Sequence, residues 1–185
     1  MAFLPFRVHD DFGMVIRRGS KVMKRSLLVM AMLLVPFALP AAETGSVTMV
    51  PPSVDGSAIV QVAGRSLSLS DIEKLPLRQS RMANPWSPDG AVWMGVRLAD
   101  VLAAQGLAGR EVALRARDDY TIRLKPTDIT GDEPLLATRR DGKPLDPATT
   151  GPLMLVWPAQ AEKVMAKTAP DANWIWGIVE IKAVP

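Results

Sequence analysis

The sequence predicts an α+β domain that is mainly β and carries two or three short helices. Three observations predict it. Residues Glu111 to Arg117 and Tyr120 to Leu124 alternate apolar and polar side chains on either side of Asp118-Asp119, which is the mark of a hairpin. Leu153 to Trp157 is a continuous apolar run of the length of a buried strand. The helical signals are brief, confined to a few residues after Ser70 and to Leu98–Gln105.

In chain order, residues 1–42 read as a secretory signal. Arg17, Arg18, Lys21, Lys24 and Arg25 form a basic region, Leu27 to Leu39 an apolar run broken only by Pro36, and Ala41-Ala42 the small residues of a cleavage site. The run is short for a membrane span of about 20 residues. Cleavage near Ala42 and no membrane span afterwards are the expectation, an uncleaved anchor being the alternative. Asp10 and Asp11 are out of place ahead of a signal, so Met14 or Met23 is a candidate start. Arg17-Arg18 also suggests a twin-arginine signal, but Gly19, Ser20 and Lys21 stand where that signal prefers apolar residues, which favours general secretion. The expected location is the periplasm.

Residues 43–57 are polar and Pro-containing and are expected to form a flexible lead-in to one domain over residues 58–185. Ala58 to Val62 and Ser66 to Leu69 read as strands about a Gly64-Arg65 turn. Ser70 with Glu73 makes a capping box for a helix that Pro76 ends. Residues 77–92, with Pro85, Pro88 and Gly90 and little periodicity, read as a long ordered loop of the kind that binds ligands. A helix follows at Leu98–Gln105, with Leu98, Val101 and Leu102 on its apolar face and Gly106 as its stop. After the hairpin come a strand at Leu135 to Thr138, a primed turn at Asp141-Gly142, the buried strand, a connection from Pro158 to Ala172, and a closing strand from Trp174 to Val184.

The full chain holds 22 basic and 19 acidic residues, net +3. Six of the basic and two of the acidic residues lie in the leader, leaving 16 against 17, about −1. The basic character belongs to the leader, and no nucleic-acid footprint remains. The sequence has no cysteine, and its one histidine, His9, is in the leader. Residues 43–185 therefore cannot build a Ser-His-Asp triad, a Cys-His pair, a disulfide or a standard zinc site. The methionines at 49, 82, 94, 154 and 165 lack the close spacing of a copper site and read as core filling.

The order of several short motifs resembles the oxidoreductase molybdopterin-binding domain of sulfite oxidase. They are Trp86-Ser87, then Val92-Trp93-Met94-Gly95-Val96-Arg97-Leu98 with Asp100-Val101-Leu102; Asp118-Asp119-Tyr120-Thr121, like the family's "D-G-Y-T"; Asp141-Gly142-Lys143-Pro144-Leu145 and Gly151-Pro152-Leu153; Val156-Trp157-Pro158; and Asn173-Trp174-Ile175-Trp176. The resemblance spans about residues 58–185 and implies a sulfite-oxidase-type fold. It also implies a molybdopterin cofactor held through a cysteine thiolate just before the "W-S" pair. Here that stretch is Arg81-Met82-Ala83-Asn84-Pro85, and neither a methyl nor a thioether replaces a thiolate on molybdenum. Thr150-Gly151 stands for the family's paired glycine, Asn173 for a basic residue, and Asp119 for the glycine of "D-G-Y". The expectation is therefore no bound cofactor, with molybdopterin as the alternative.

The candidate ligand-binding residues are Arg81, Trp86, Trp93, Tyr120 and Arg139. Trp86 and Trp93 are either a stacking wall for a flat ligand or plugs of the core. Arg81, with Arg78, is either an anion clamp or a solvated pair, and Arg139 lies on the side where the resemblance places the cofactor. Trp157, Trp174 and Trp176, on expected strands, read as core. Adjacent Asp118 and Asp119 diverge on their turn, and no partner is identifiable for hydrolysis by Asp118 or Asp128. The function expected is a periplasmic module, not an enzyme, that binds a small anionic or aromatic ligand or a protein partner. A molybdopterin-dependent oxidoreductase with non-thiolate ligation is the alternative.

Overall fold

The structure is a computed structural model that describes residues 43–46, 53 and 56–185. The expected signal at residues 1–42, with its alternative starts, lies outside them. Two sheets and three short helices make up the fold, as the α+β reading expects.

The first sheet runs β1 (Glu43–Ser46), β4 (Leu77–Asn84), β5 (Ser87–Arg97), β8 (Leu135–Arg140), β10 (Met154–Val156), and the two-residue β9 (Lys143–Pro144) also pairs with β8. The second runs β3 (Arg65–Ser68), β2 (Ala58–Val62), β11 (Ile178–Ala183), β6 (Val112–Ala116), β7 (Thr121–Leu124). All pairings are antiparallel except β2 with β11. One continuous apolar cluster draws Val62, Leu114 and Ile181 from one sheet and Val96, Leu136 and Leu155 from the other. The helices are α1 (Leu69–Ile72), α2 (Leu98–Ala104) and α3 (Ala161–Met165). Among the described residues, no helix is long and apolar enough to cross a membrane.

Local signals place most elements. The β6–β7 hairpin pairs Val112 with Leu124 and Leu114 with Ile122, as the alternation requires. Asp141 and Gly142 both have positive φ, +50° and +78°, the primed turn that joins β8 to β9. In α2 the face Leu98, Val101 and Leu102 is buried, and Gly106 (φ +73°) ends it while the Leu107 N–H donates to the Leu102 carbonyl.

Three expectations are corrected. The cap of α1 is Ser68, whose Oγ accepts the Asp71 N–H at 3.1 Å while Asp71 Oδ2 accepts the Ser68 N–H, also at 3.1 Å. The box thus sits two residues before the Ser70–Glu73 pair, and Glu73 is released for another role. Because this cap fixes the entry to α1, Ser68→Ala is expected to lower stability by about 1 kcal/mol, measured by urea denaturation.

Residues 77–92 are not a loop but most of a hairpin, β4 and β5. The inward positions of β4 alternate as a strand should, but two of them are polar: Ser80, Met82 and Asn84 are buried. A period-two pattern written partly in small polar residues has no hydrophobic signature. Within the expected lead-in, β1 pairs with the edge of β4 and the Ser53 N–H donates to Glu73 Oε2 at 2.6 Å, and residues 47–52, 54 and 55 lie outside the described residues. Finally, the closing strand begins at Ile178, not at Trp174. Gly177 (φ +65°) turns the chain before it, and Trp176 is joined to the sheet only by an isolated bridge to Met154.

Candidate functional site

Three chain segments converge on one cleft. The turn between β4 and β5 supplies Trp86, whose N–H donates to the side-chain oxygen of buried Asn84 at 3.0 Å. The segment before β11 supplies Asp171, Ala172, Trp174, Ile175 and Trp176, and the β6–β7 turn supplies Asp118 and Tyr120. Together with Ala116 these line a cavity of about 240 Å³.

Aromatic rings form most of its wall. Trp86 stacks on Trp174 with ring centroids 5.9 Å apart and planes 27° from parallel, and meets Trp176 at 5.1 Å and 55°. Trp174 is buried, Trp86 half-buried, and Trp176 and Tyr120 are 39% and 47% exposed, so the cluster grades from core to open surface. The Tyr120 hydroxyl donates to the Ala172 carbonyl at 2.8 Å and ties two rims together. That bond leaves its ring, not its hydroxyl, as the free contact. The turn beneath is set by Asp118 Oδ1, which accepts the Tyr120 N–H at 3.2 Å. Asp119, where the family pattern has glycine, has φ +66°, a conformation that glycine adopts freely and aspartate tolerates.

Two carboxylates, Asp118 and Asp171, belong to this lining, and no basic side chain does. The nearby guanidinium groups are engaged elsewhere. Arg117 donates to the Thr149 carbonyl at 3.2 Å, and Arg115 bonds Glu180 and Asp119, each at 3.1 Å.

Of the five candidate residues, Trp86 and Tyr120 are therefore brought together. The other three are not. Trp93 is fully buried, its indole N–H without a partner and the Arg140 guanidinium 6.0 Å from its ring, so it plugs the core. Arg81 lies on an exposed position of β4 between Glu43 of β1 and Val92 of β5. Arg139 is 7% exposed and forms a bidentate ion pair with Glu73, Nε to Oε1 at 2.8 Å and Nη2 to Oε2 at 2.6 Å. The Thr138 hydroxyl adds a third bond to Oε1 at 2.8 Å. Burial pushes the Glu73 carboxyl up, but the bonds from Arg139, the Ser53 N–H and Thr138 outweigh it and hold the group below the ordinary glutamate range. Arg139 thus ties β8 to Glu73 at the end of α1 and is not part of the cleft lining.

Sequence reasoning missed Trp174 and Trp176 because it placed both in a core strand. The turn-forming residues that bracket them, Asp171 and Gly177, were the available sign that this segment is not a strand. A second cavity, of about 330 Å³, is lined by Arg140, Asp141, Lys143–Asp146, Thr149 and Thr150. Gly151 beside it is demanded by the chain's own backbone, since a Cβ there would lie 2.4 Å from the Leu145 carbonyl oxygen.

A family model described as the oxidoreductase molybdopterin binding domain matches residues 71–171. The chain belongs to that family. Among solved structures it is similar to the sulfane dehydrogenase SoxCD of Paracoccus pantotrophus, at 13% identity and a TM-score of 0.51, over 79% of this chain and 44% of that one. At this identity the likeness establishes the fold, and the chain spans less than half the length of that dehydrogenase chain. No curated protein matches the sequence.

The residues present do not fit the molybdenum cofactor as a thiolate-held group. On the stretch before Trp86, Met82 is packed in the core and Ala83 is a half-buried methyl, and the chain has no thiol to offer. Among the described residues, no cluster of three His, Cys, Asp or Glu side chains could hold a metal. The aromatic cleft also lacks any cation to balance a phosphate.

Proposed function

We propose that this chain is an exported binding module on a molybdopterin-domain scaffold, acting in the periplasm and taking a small ligand with a flat or apolar face in its aromatic cleft. The observation that carries the reading is the cleft itself, where the exposed Trp176 and Tyr120 and the half-buried Trp86 stand over buried Trp174, and the Tyr120 hydroxyl ties two of its rims together. Partly exposed indole rings offer large, rigid contact area at small conformational cost. The basic, apolar and small residues of the leader support export. The missing thiolate supports binding over redox chemistry, and the two carboxylates favour the aromatic over the anionic ligand expected from sequence.

The test has two arms. Protein purified from a molybdenum-replete host is expected to carry neither stoichiometric molybdenum nor a fluorescent pterin. The neutral aromatic benzamide is expected to change the tryptophan fluorescence saturably, and Trp176→Leu, an exposed site, to weaken that binding about tenfold while leaving the melting temperature nearly unchanged. Family membership favours a second reading, an oxidoreductase with non-thiolate ligation. Stoichiometric molybdenum with pterin would establish it and sink the first.

A further inference from the structure

We propose that the aromatic cleft selects a small organic cation, of the quaternary ammonium class. The inference deepens the binding reading above and rests on it. Two independent features point the same way. The first is the wall: three indoles and a phenol converge within one cavity, with Trp86 5.9 Å from Trp174 and 5.1 Å from Trp176. Ring faces carry negative potential, tryptophan most of all, and aromatic cages are the usual hosts of alkylammonium groups, which need no hydrogen-bond acceptor. Tyr120 fits that part, because its hydroxyl is committed to the Ala172 carbonyl and its ring remains.

The second feature is charge. Asp118 and Asp171 both line the cavity and both are exposed at its rim, while its lining holds no basic side chain. The adjacent Arg117 and Arg115 are drawn onto Thr149, Glu180 and Asp119. Asp118 is also fixed in place by the Tyr120 N–H. An anion entering here would meet two carboxylates and no basic side chain in the lining, whereas a cation meets both attractions together. At about 240 Å³ the cavity lies below the range of about 300–1,000 Å³ usual for drug-sized ligands, so it suits a compact headgroup.

Isothermal titration calorimetry with choline and with its neutral isostere 3,3-dimethyl-1-butanol tests this. Choline is expected to bind about tenfold more tightly than the isostere. Trp176→Leu should abolish choline binding, and Asp118→Asn with Asp171→Asn should weaken it several-fold and remove most of its salt dependence. Both aspartates are exposed, so folding is expected to survive, with a circular dichroism melt as control. Comparing free choline with phosphatidylcholine and phosphatidylglycerol vesicles separates a soluble cation from a lipid headgroup, and retention by either choline form supports the chemistry. Equal affinity for choline and the isostere would overturn the cation inference and leave the aromatic cleft standing. A response to benzamide with none to choline does the same. Silence toward all three probes overturns both readings.

Discussion

Arg139→Met is expected to destabilise the protein by about 3–5 kcal/mol, the usual result of leaving a buried charge without its partner. Glu73 would then sit fully buried on its side chain with, among the described residues, the Ser53 N–H and the Thr138 hydroxyl as its remaining donors. The double variant Glu73→Leu/Arg139→Met, which removes both charges, is expected to regain much of the loss, because an apolar pair of similar volume avoids the desolvation of two ions. Urea denaturation of the two single variants and the double gives the coupling energy directly. The same pair sets a pH dependence. Glu73 is held below its ordinary value of 4.5, so its contribution is complete above that value and is lost as the pH falls past it toward the folded-state pKa. Wild-type stability should therefore drop through this acid window, and the drop should be smaller in the double variant. An unchanged acid profile in the double variant would show that other carboxylates govern acid unfolding.

The second large effect is expected at Gly95. A Cβ built there would lie 2.1 Å from the Leu136 carbonyl oxygen and 2.7 Å from the Ala137 Cα, both backbone atoms of the neighbouring strand. The β5–β8 register shifts between Met94 and Gly95, so the two strands approach most closely where no side chain stands. Gly95→Ala must part the central strands of the first sheet and is expected to cost about 3 kcal/mol or more, or to yield no folded protein. Gly109→Ala is the control, since nothing lies within 4 Å of its added Cβ; its φ of +71° confines the loss to backbone strain of about 1 kcal/mol. Thermal melts followed by circular dichroism should separate the two clearly.

These two sites also divide what is readable in a linear sequence from what is not. The β6–β7 hairpin, the Asp141-Gly142 turn and the end of α2 at Gly106 follow from residues a few positions apart, and each was legible. Glu73 and Arg139 are 66 residues apart. Glu73 also had a plausible local role, as the second member of a capping box, and a local explanation hides a distant one. Hairpin β4–β5 was illegible for another reason. Its inward positions Ser80 and Asn84 are polar, so burial there is decided by the sheet and not by hydrophobicity.

The candidate cleft was legible by halves. Trp86 and Tyr120 stood out as aromatics beside turn residues, and both reached the cavity. Trp93 was equally conspicuous but lies on an inward position of β5 and is consumed by the core. Trp174 and Trp176 looked like strand residues until the chain's turn at Gly177 separated one buried ring from one exposed ring.

By itself, then, the sequence determined the α+β class, the likeness to the molybdopterin-binding domain, and the absence of a thiolate or imidazole from residues 43–185. These are matters of composition, short-range periodicity and motif order, which do not depend on where distant segments meet. Only the tertiary structure decided that Arg139 closes on Glu73 and that Trp86, Trp174, Trp176 and Tyr120 share a cleft with Asp118 and Asp171. Those contacts form because two sheets bury one common core and bring their turns together, and no local pattern encodes which turns will meet.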